Sequence, residues 1–247
     1  MLVSFDVMRR RGTLALVSTV IAVVALAGAV AVASRSATPP LPRAADFSAR
    51  VDNPWYPLIP GTTYVYRGAK DGHPSREVLT VTHKTKLIAG VPCVVIEDRL
   101  YLSGYLEERT TGWYSQDKQG NVWYFGENTA ELAKDGHVTS TSGAWQAGVN
   151  GAKPGLFMFA HPRVGQSAQQ EFYKGQAADH FKVLSLHASA STPYTRSTNA
   201  MLTEEWTPLE PGALDHKLYV RGIGTILEQT VKGGSERAAL VSVRRPR

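Results

Sequence analysis

The chain has 247 residues, with 27 Lys and Arg against 21 Asp and Glu, a formal charge of +6 and a single cysteine. One cysteine cannot form an intramolecular disulfide, so the fold must rest on its hydrophobic core. The basic surplus is mild and spread out, except for Arg244, Arg245 and Arg247 around Pro246 at the end, which read as a solvated tail.

The chain opens on an export pattern. Arg9, Arg10 and Arg11 precede residues 13–33, which carry no charge and close on Ala31-Val32-Ala33. A basic stretch, an apolar run and a small-x-small ending make a signal segment. The run exceeds the roughly 7–15 residues of a usual cleaved core and reaches the roughly 20 that span a bilayer. Residues 1–33 are therefore either a cleaved signal peptide or an N-terminal membrane anchor, and the arginines hold that end in the cytoplasm. Both outcomes place the remainder outside, on the extracytoplasmic face of the membrane or secreted, away from cytosolic nucleotide pools and chromosomal DNA. Cys93 lies far from this segment, which excludes lipid attachment at the signal boundary.

Residues 34–46 are rich in Ser, Ala, Pro and Arg and read as a tether. Residues 47–247 read as a single extracytoplasmic β domain. Gly, Pro, Asn and Asp at short intervals separate runs of Val, Tyr, Thr, Ile and Leu, which predict strands over 62–67, 76–83, 94–100, 106–114, 122–125, 168–173, 180–187, 201–206, 217–220, 225–231 and 237–243. Residues 128–134 are compatible with one or two helical turns. Short strands joined without helices mean antiparallel pairing, because parallel crossovers need roughly a dozen residues or more. The expected fold is all-β, a closed or half-open antiparallel barrel, with a two-sheet sandwich as the alternative. Cys93, within Val91 to Ile96, is expected to be a buried small hydrophobe.

Asn53-Pro54-Trp55-Tyr56-Pro57, ahead of the first long strand, reads as an extended plug for one barrel end. Residues 113–127 read as an aromatic hairpin around Asp117 and Asn121. The turn lacks the second carboxylate and distal glutamate of a calcium loop. None of the seven histidines forms a close pair of ligand spacing, no Gly-x-Ser-x-Gly occurs, and neither a metal nor a cofactor is expected. Residues 144–165, rich in Gly and Pro, read as a long irregular loop of the kind that carries function.

The candidate site combines acidic and aromatic residues near that loop: Trp145, Glu171, Tyr173, Asp179, His180 and Glu205. Asp179 precedes His180, where a carboxylate can orient an imidazole. Alternation sets Glu204 beside Leu202 and Trp206 and turns Glu205 the other way. A carboxyl held among aromatics has a raised pKa and can act as general acid or base, whereas the plain alternative is a solvated or salt-bridged carboxylate. These five positions other than His180 are expected to converge around one cavity roofed by residues 144–165.

The motifs Asn53-Pro54-Trp55-Tyr56-Pro57-Leu58 with Pro60-Gly61-Thr62, Gln116-Asp117 with Gly120 to Glu127, and Glu205-Trp206-Thr207-Pro208-Leu209-Glu210-Pro211 resemble an uncharacterised family of exported bacterial β-rich proteins. The resemblance covers most of the exported part. It implies that Gln146, Asn150 and Ala178 stand where carboxylates are common, and it supplies no activity. Three functions remain from the residues: a binding protein for a small or amphiphilic, lipid-like ligand, a carboxylate-dependent hydrolase or lyase of the cell envelope, and an envelope scaffold. The expected partners are that ligand and, through an uncleaved N-terminal segment, the membrane; nucleic acid is not among them.

Overall fold

The computed structural model describes residues 39–246; the export segment lies outside the described residues. A 3-10 turn (Ala44–Asp46) leads into β1 (Phe47–Ser48), β2 (Thr63–Lys70), β3 (His73–Ile88), β4 (Val91–Leu102), β5 (Tyr105–Asp117), β6 (Val122–Leu132), β7 (Val138–Ser140), β8 (Trp145–Gln146), β9 (Lys153–Met158), β10 (Ser167–Gln169), β11 (Glu171–Phe172), β12 (His180–Ser191), β13 (Arg196–Trp206), β14 (Leu214–Val220), β15 (Gly224–Lys232) and β16 (Arg237–Arg244).

The strands pair in the order β10-β12-β13-β14-β15-β16-β2-β3-β4-β5-β6-β9-β11, with β1 on β5 and β7 and β8 on β6. Only Gln170 separates β10 from β11, so one short stretch pairs with β12 on one side and β9 on the other. The result is a nearly closed antiparallel barrel with one unsealed seam, not a sandwich. Gln170 N–H donates to the Asp179 carbonyl at 2.7 Å at this seam. A Cβ on Gly155 would lie 2.0 Å from the Gln170 carbonyl oxygen, so glycine is what lets β9 approach.

Three successive hairpins build the longest part of the wall. Asp71-Gly72, Ala89-Gly90 and Ser103-Gly104 all take positive φ at both residues, the two-residue turn whose twist matches the flanking strands. Aspartate, serine and glycine suit it; Ala89 is held there at a cost.

Two expectations are corrected. Residues 128–134 are not helical: through Leu132 they continue β6, where Thr129 lies opposite Thr110 and Ala130 opposite Arg109. Residues 144–165 are not one irregular loop, because β8 and β9 both dock on β6.

Successive residues Trp123, Tyr124 and Phe125 are all buried, because β6 is covered on both faces. Phe47 packs edge-on against Trp123 and Phe125, at 6.1 and 5.4 Å between centroids. On the other face Tyr124 stacks on Tyr114 at 4.5 Å. The proline segment buries Trp55 and Tyr56 as expected, but on a turn and not on an extended path: Tyr56 N–H donates to the Asn53 carbonyl at 3.2 Å. Asn53 Nδ2 donates to the carbonyls of Gly120 and Phe159, and its Oδ1 accepts from the amides of Trp55 and Tyr56. This drives Tyr56 onto Phe157 at 4.6 Å and Tyr114 at 5.7 Å. The turn of the aromatic hairpin is closed by Asp117, which accepts from Asn121 N, Asn121 Nδ2 and Trp123 Nε1. Cys93 is free and fully buried, and burial pushes its thiol up to about 12.

Candidate functional site: three carboxyl clusters inside the barrel

Strand alternation carries ionisable side chains into the core. Glu77 falls in step with Leu79 and Val81 on β3, and Asp98 with Ile96 and Leu100 on β4, all of them buried. Register sets Glu77 opposite Leu100 and Leu79 opposite Asp98, making the two acids diagonal neighbours. Among the described residues the Arg99 backbone N–H is the one protein donor besides the two acids themselves, and it serves Asp98. Each has the other as its hydrogen-bond partner, which requires a shared proton. Burial and the facing Asp98 charge hold Glu77 well above the usual carboxylate range, and burial raises Asp98 to about 6.

Across β13, β14 and β15 stands a second arrangement. Lys217 Nζ lies 2.8 Å from Glu205 Oε2 and 3.5 Å from Glu228 Oε1. The hydroxyls of Tyr219 and Thr203 donate to Glu205 Oε1 at 3.1 and 3.0 Å. Burial pushes Glu205 up, but the Lys217 ammonium and these hydrogen bonds more than offset it and leave it below its ordinary value. Glu228 gains less from Lys217, has no partner for Oε2, and is raised by burial to about 8. Thr225, whose Oγ1 is also without a partner, lines a crevice of about 10 Å³ with Tyr56, Tyr64, Tyr66, Leu79 and Ile223. That is room for about one water.

The third arrangement lies on the aromatic wall. Tyr124 Oη donates to Glu127 Oε2 at 2.7 Å, and burial together with the Glu171 charge raises Glu127 well above its ordinary value. Trp145 Nε1 donates to Glu171 Oε1 at 3.3 Å while its ring packs edge-on against Tyr124 at 5.5 Å. Thr110 and Thr129 donate to Glu108 Oε1 at 2.8 and 3.0 Å.

The residues singled out from sequence are thus distributed. Trp145 and Glu171 meet directly, and Glu205 sits in the Lys217 cluster. Tyr173 is half-buried and borders an open depression of about 270 Å³ together with Lys153, Gln169 and Phe172. Asp179 is buried behind the seam. His180 stacks on Trp206, 5.4 Å between centroids, and its partial burial lowers its pKa. Register places His180 opposite Trp206 and Phe181 opposite Glu205, so His180 and Glu205 point to different faces. The face carrying Leu202, Glu204 and Trp206 is the half-exposed one; Glu205, not Glu204, turns into the core.

Sequence reading missed Glu77, Asp98, Glu127, Lys217 and Glu228. For Glu77, Asp98, Lys217 and Glu228 the signal was present, a charge in step with apolar residues two positions away. Glu127 gave no such signal. A register shift between Gly112 and Tyr114, opposite Gly126 at φ +119°, resets the alternation there. Among the described residues no group of three or more His, Cys, Asp or Glu side chains is arranged to hold a metal ion, and no helix is long and apolar enough to cross a membrane.

The class defined by fold and interior is an antiparallel barrel with a partly ionisable core. No family model and no curated protein matches the chain. Among solved structures it is similar to a protein from Parabacteroides distasonis described as a "putative lipoprotein", with 10% identity, a TM-score of 0.41, and coverage of 76% of this chain and 97% of that one.

Proposed function

We propose that the protein is an extracytoplasmic β-barrel binding protein for a small or amphiphilic ligand. The observation that carries the reading is a set of under-satisfied polar groups in the core: Oε2 of Glu228 and Oγ1 of Thr225, which have no partner, beside Glu77 and Asp98, whose only side-chain partner is each other. Buried polar groups are nearly always satisfied, and a cluster short of donors is accounted for by a ligand or water that supplies them. Beside this polar half lies an aromatic one, in which Phe157 stands 5.1 Å from Tyr114 and 4.6 Å from Tyr56. Tyr56 borders both, since it also feels the charges of Lys217 and Asp98. A ligand with a polar head and an apolar body matches that division. The export pattern of residues 1–33 supports the location.

A carboxylate-dependent hydrolase or lyase is the second reading, favoured by the proton shared between Glu77 and Asp98, since such a pair offers an acid and a base together. Titration of the full-length chain with dodecylamine and with dodecanoate, followed by tryptophan fluorescence, tests the first reading. Saturable binding of one of them, weakened at least about tenfold (about 1.4 kcal/mol) by Glu77→Gln with Asp98→Asn, is expected. Unchanged titrations in that double variant contradict the reading.

A further inference from the structure

The outward faces of the same strands carry a second pattern. Residues directly opposite on antiparallel strands bring their side chains to within roughly 5 Å, and like charges there are destabilising. Register nevertheless sets Arg67 opposite Arg76 and, one row on, Arg99 opposite Arg109. All four alternate with buried residues, Tyr66, Glu77, Asp98 and Thr110 among them, and therefore point outward.

The available counter-charges are few. Glu97 lies 3.9 Å from Arg99 but is shared with Lys84 at 3.1 Å, and Glu107 is engaged by Lys70. Arg99 Nη1 donates to the carbonyls of Asp98 and Thr110. Arg76 rests its guanidinium 5.5 Å above the Tyr101 ring. Among the described residues no carboxylate forms an ion pair with Arg67, Arg76 or Arg109. Arg67 and Arg76 share a groove of about 680 Å³ with Tyr101, Ser103, Pro74 and Gly104.

We propose that this groove is a binding site for a phosphate group. Two facing guanidinium forks offer more donors than the two oxygens of a carboxylate can accept at once. A phosphate brings three terminal oxygens and up to two charges, and arginine pairs with it bidentately. Its charge relieves the opposition of Arg67 and Arg76, the Ser103 hydroxyl adds a donor, and the Tyr101 ring gives the attached carbon skeleton a surface. The phosphate is either a lipid-type glycerol phosphate headgroup or free inorganic phosphate.

Calorimetric titration of the full-length chain in dodecyl maltoside with glycerol 1-phosphate, inorganic phosphate and glycerate separates these. Glycerol 1-phosphate should bind at least tenfold more tightly than glycerate, and more weakly as sodium chloride is raised. Tighter binding of glycerol 1-phosphate than of inorganic phosphate supports the headgroup, and equal binding supports free phosphate. Arg67→Gln with Arg76→Gln should abolish binding without lowering the melting temperature, whereas Arg163→Gln with Arg196→Gln, equal in charge but elsewhere on the surface, should leave it unchanged. Arg67→Lys with Arg76→Lys keeps the charge and loses the fork, and should weaken binding at least threefold. Glycerate binding as tightly as the phosphates, an equal loss in both glutamine pairs, or no binding of either phosphate overturns the proposal.

Discussion

The wall made by β5, β6, β8, β9 and β11 and the wall made by β3, β4, β13, β14 and β15 both bury large polar side chains, yet they satisfy them differently. On the first, aromatic rings supply the packing and hydroxyl or indole groups reach the acids: Tyr124 to Glu127, Trp145 to Glu171, Thr110 and Thr129 to Glu108. On the second, Lys217 with the hydroxyls of Thr203 and Tyr219 satisfies Glu205, while Glu77 and Asp98 have only each other as side-chain partners and one oxygen of Glu228 has none. Burial drives a carboxyl to keep its proton; the Lys217 ammonium outweighs that at Glu205, whereas the single Tyr124 hydroxyl does not at Glu127. The aromatic wall is built for rigidity, and the ionisable wall is left short of partners.

The sharpest way to break the second wall is to remove its cation. Lys217→Met leaves Glu205 and Glu228 facing each other in the core and should cost about 3–5 kcal/mol in urea unfolding. Adding Glu205→Gln should recover a substantial part, since the uncompensated charge is then gone. On the aromatic wall, Tyr124→Phe removes one hydrogen bond to a buried acid and should cost about 1–3 kcal/mol by the same measurement. Gly155→Ala tests the seam. Its new Cβ meets the Gln170 carbonyl, and a loss of about 1–3 kcal/mol is expected, with faster amide exchange in β11 than in β3.

The ionisable wall also makes stability depend on pH. Glu228 titrates at 4.5 when free and at about 8 in the fold, so between those values the folded state holds a proton that the unfolded state has lost. Stability contributed by this group is complete below about pH 4.5 and declines as pH rises through about 8, and Asp98 adds a decline between about 3.8 and 6. Glu205, lowered in the fold, acts in the opposite sense and only in acid. The barrel should therefore melt higher at pH 5 than at pH 8, with a difference on the order of 1–3 kcal/mol, and Glu228→Gln should flatten that slope. The smallest expected effect is at Ala89, whose φ of +48° suits asparagine better: Ala89→Asn should raise stability by about 0.5–1 kcal/mol.

Much of this architecture is legible in the residues. The burial of Trp55 and Tyr56, the hairpin around Asp117, the burial of Cys93 and the barrel itself follow from proline placement, turn chemistry and alternating apolar runs. Direct contact between Trp145 and Glu171 was a pairing across 26 residues of chain that no local pattern announces. Two kinds of information were out of reach. A bulge at Gly126 resets alternation, so Glu127 cannot be assigned a face by counting. On β13 one face carries Met201, Thr203 and Glu205 and the other Leu202, Glu204 and Trp206, one acid with apolar neighbours on each, and only the packing of β13 with β12 and β14 decides that Glu205 turns inward and Glu204 outward.

The most direct test of the partner-poor wall is the infrared spectrum of the carboxyl stretching region at pH 7. The account predicts bands from buried protonated carboxyls, Glu127 and Glu228 included, of which one component is lost in Glu77→Gln and all are kept in Glu97→Gln, whose side chain is already paired with Lys84 on the surface. A spectrum identical in the parent and Glu77→Gln would mean that Glu77 is ionised, and the shared proton and the site built on it would both be wrong.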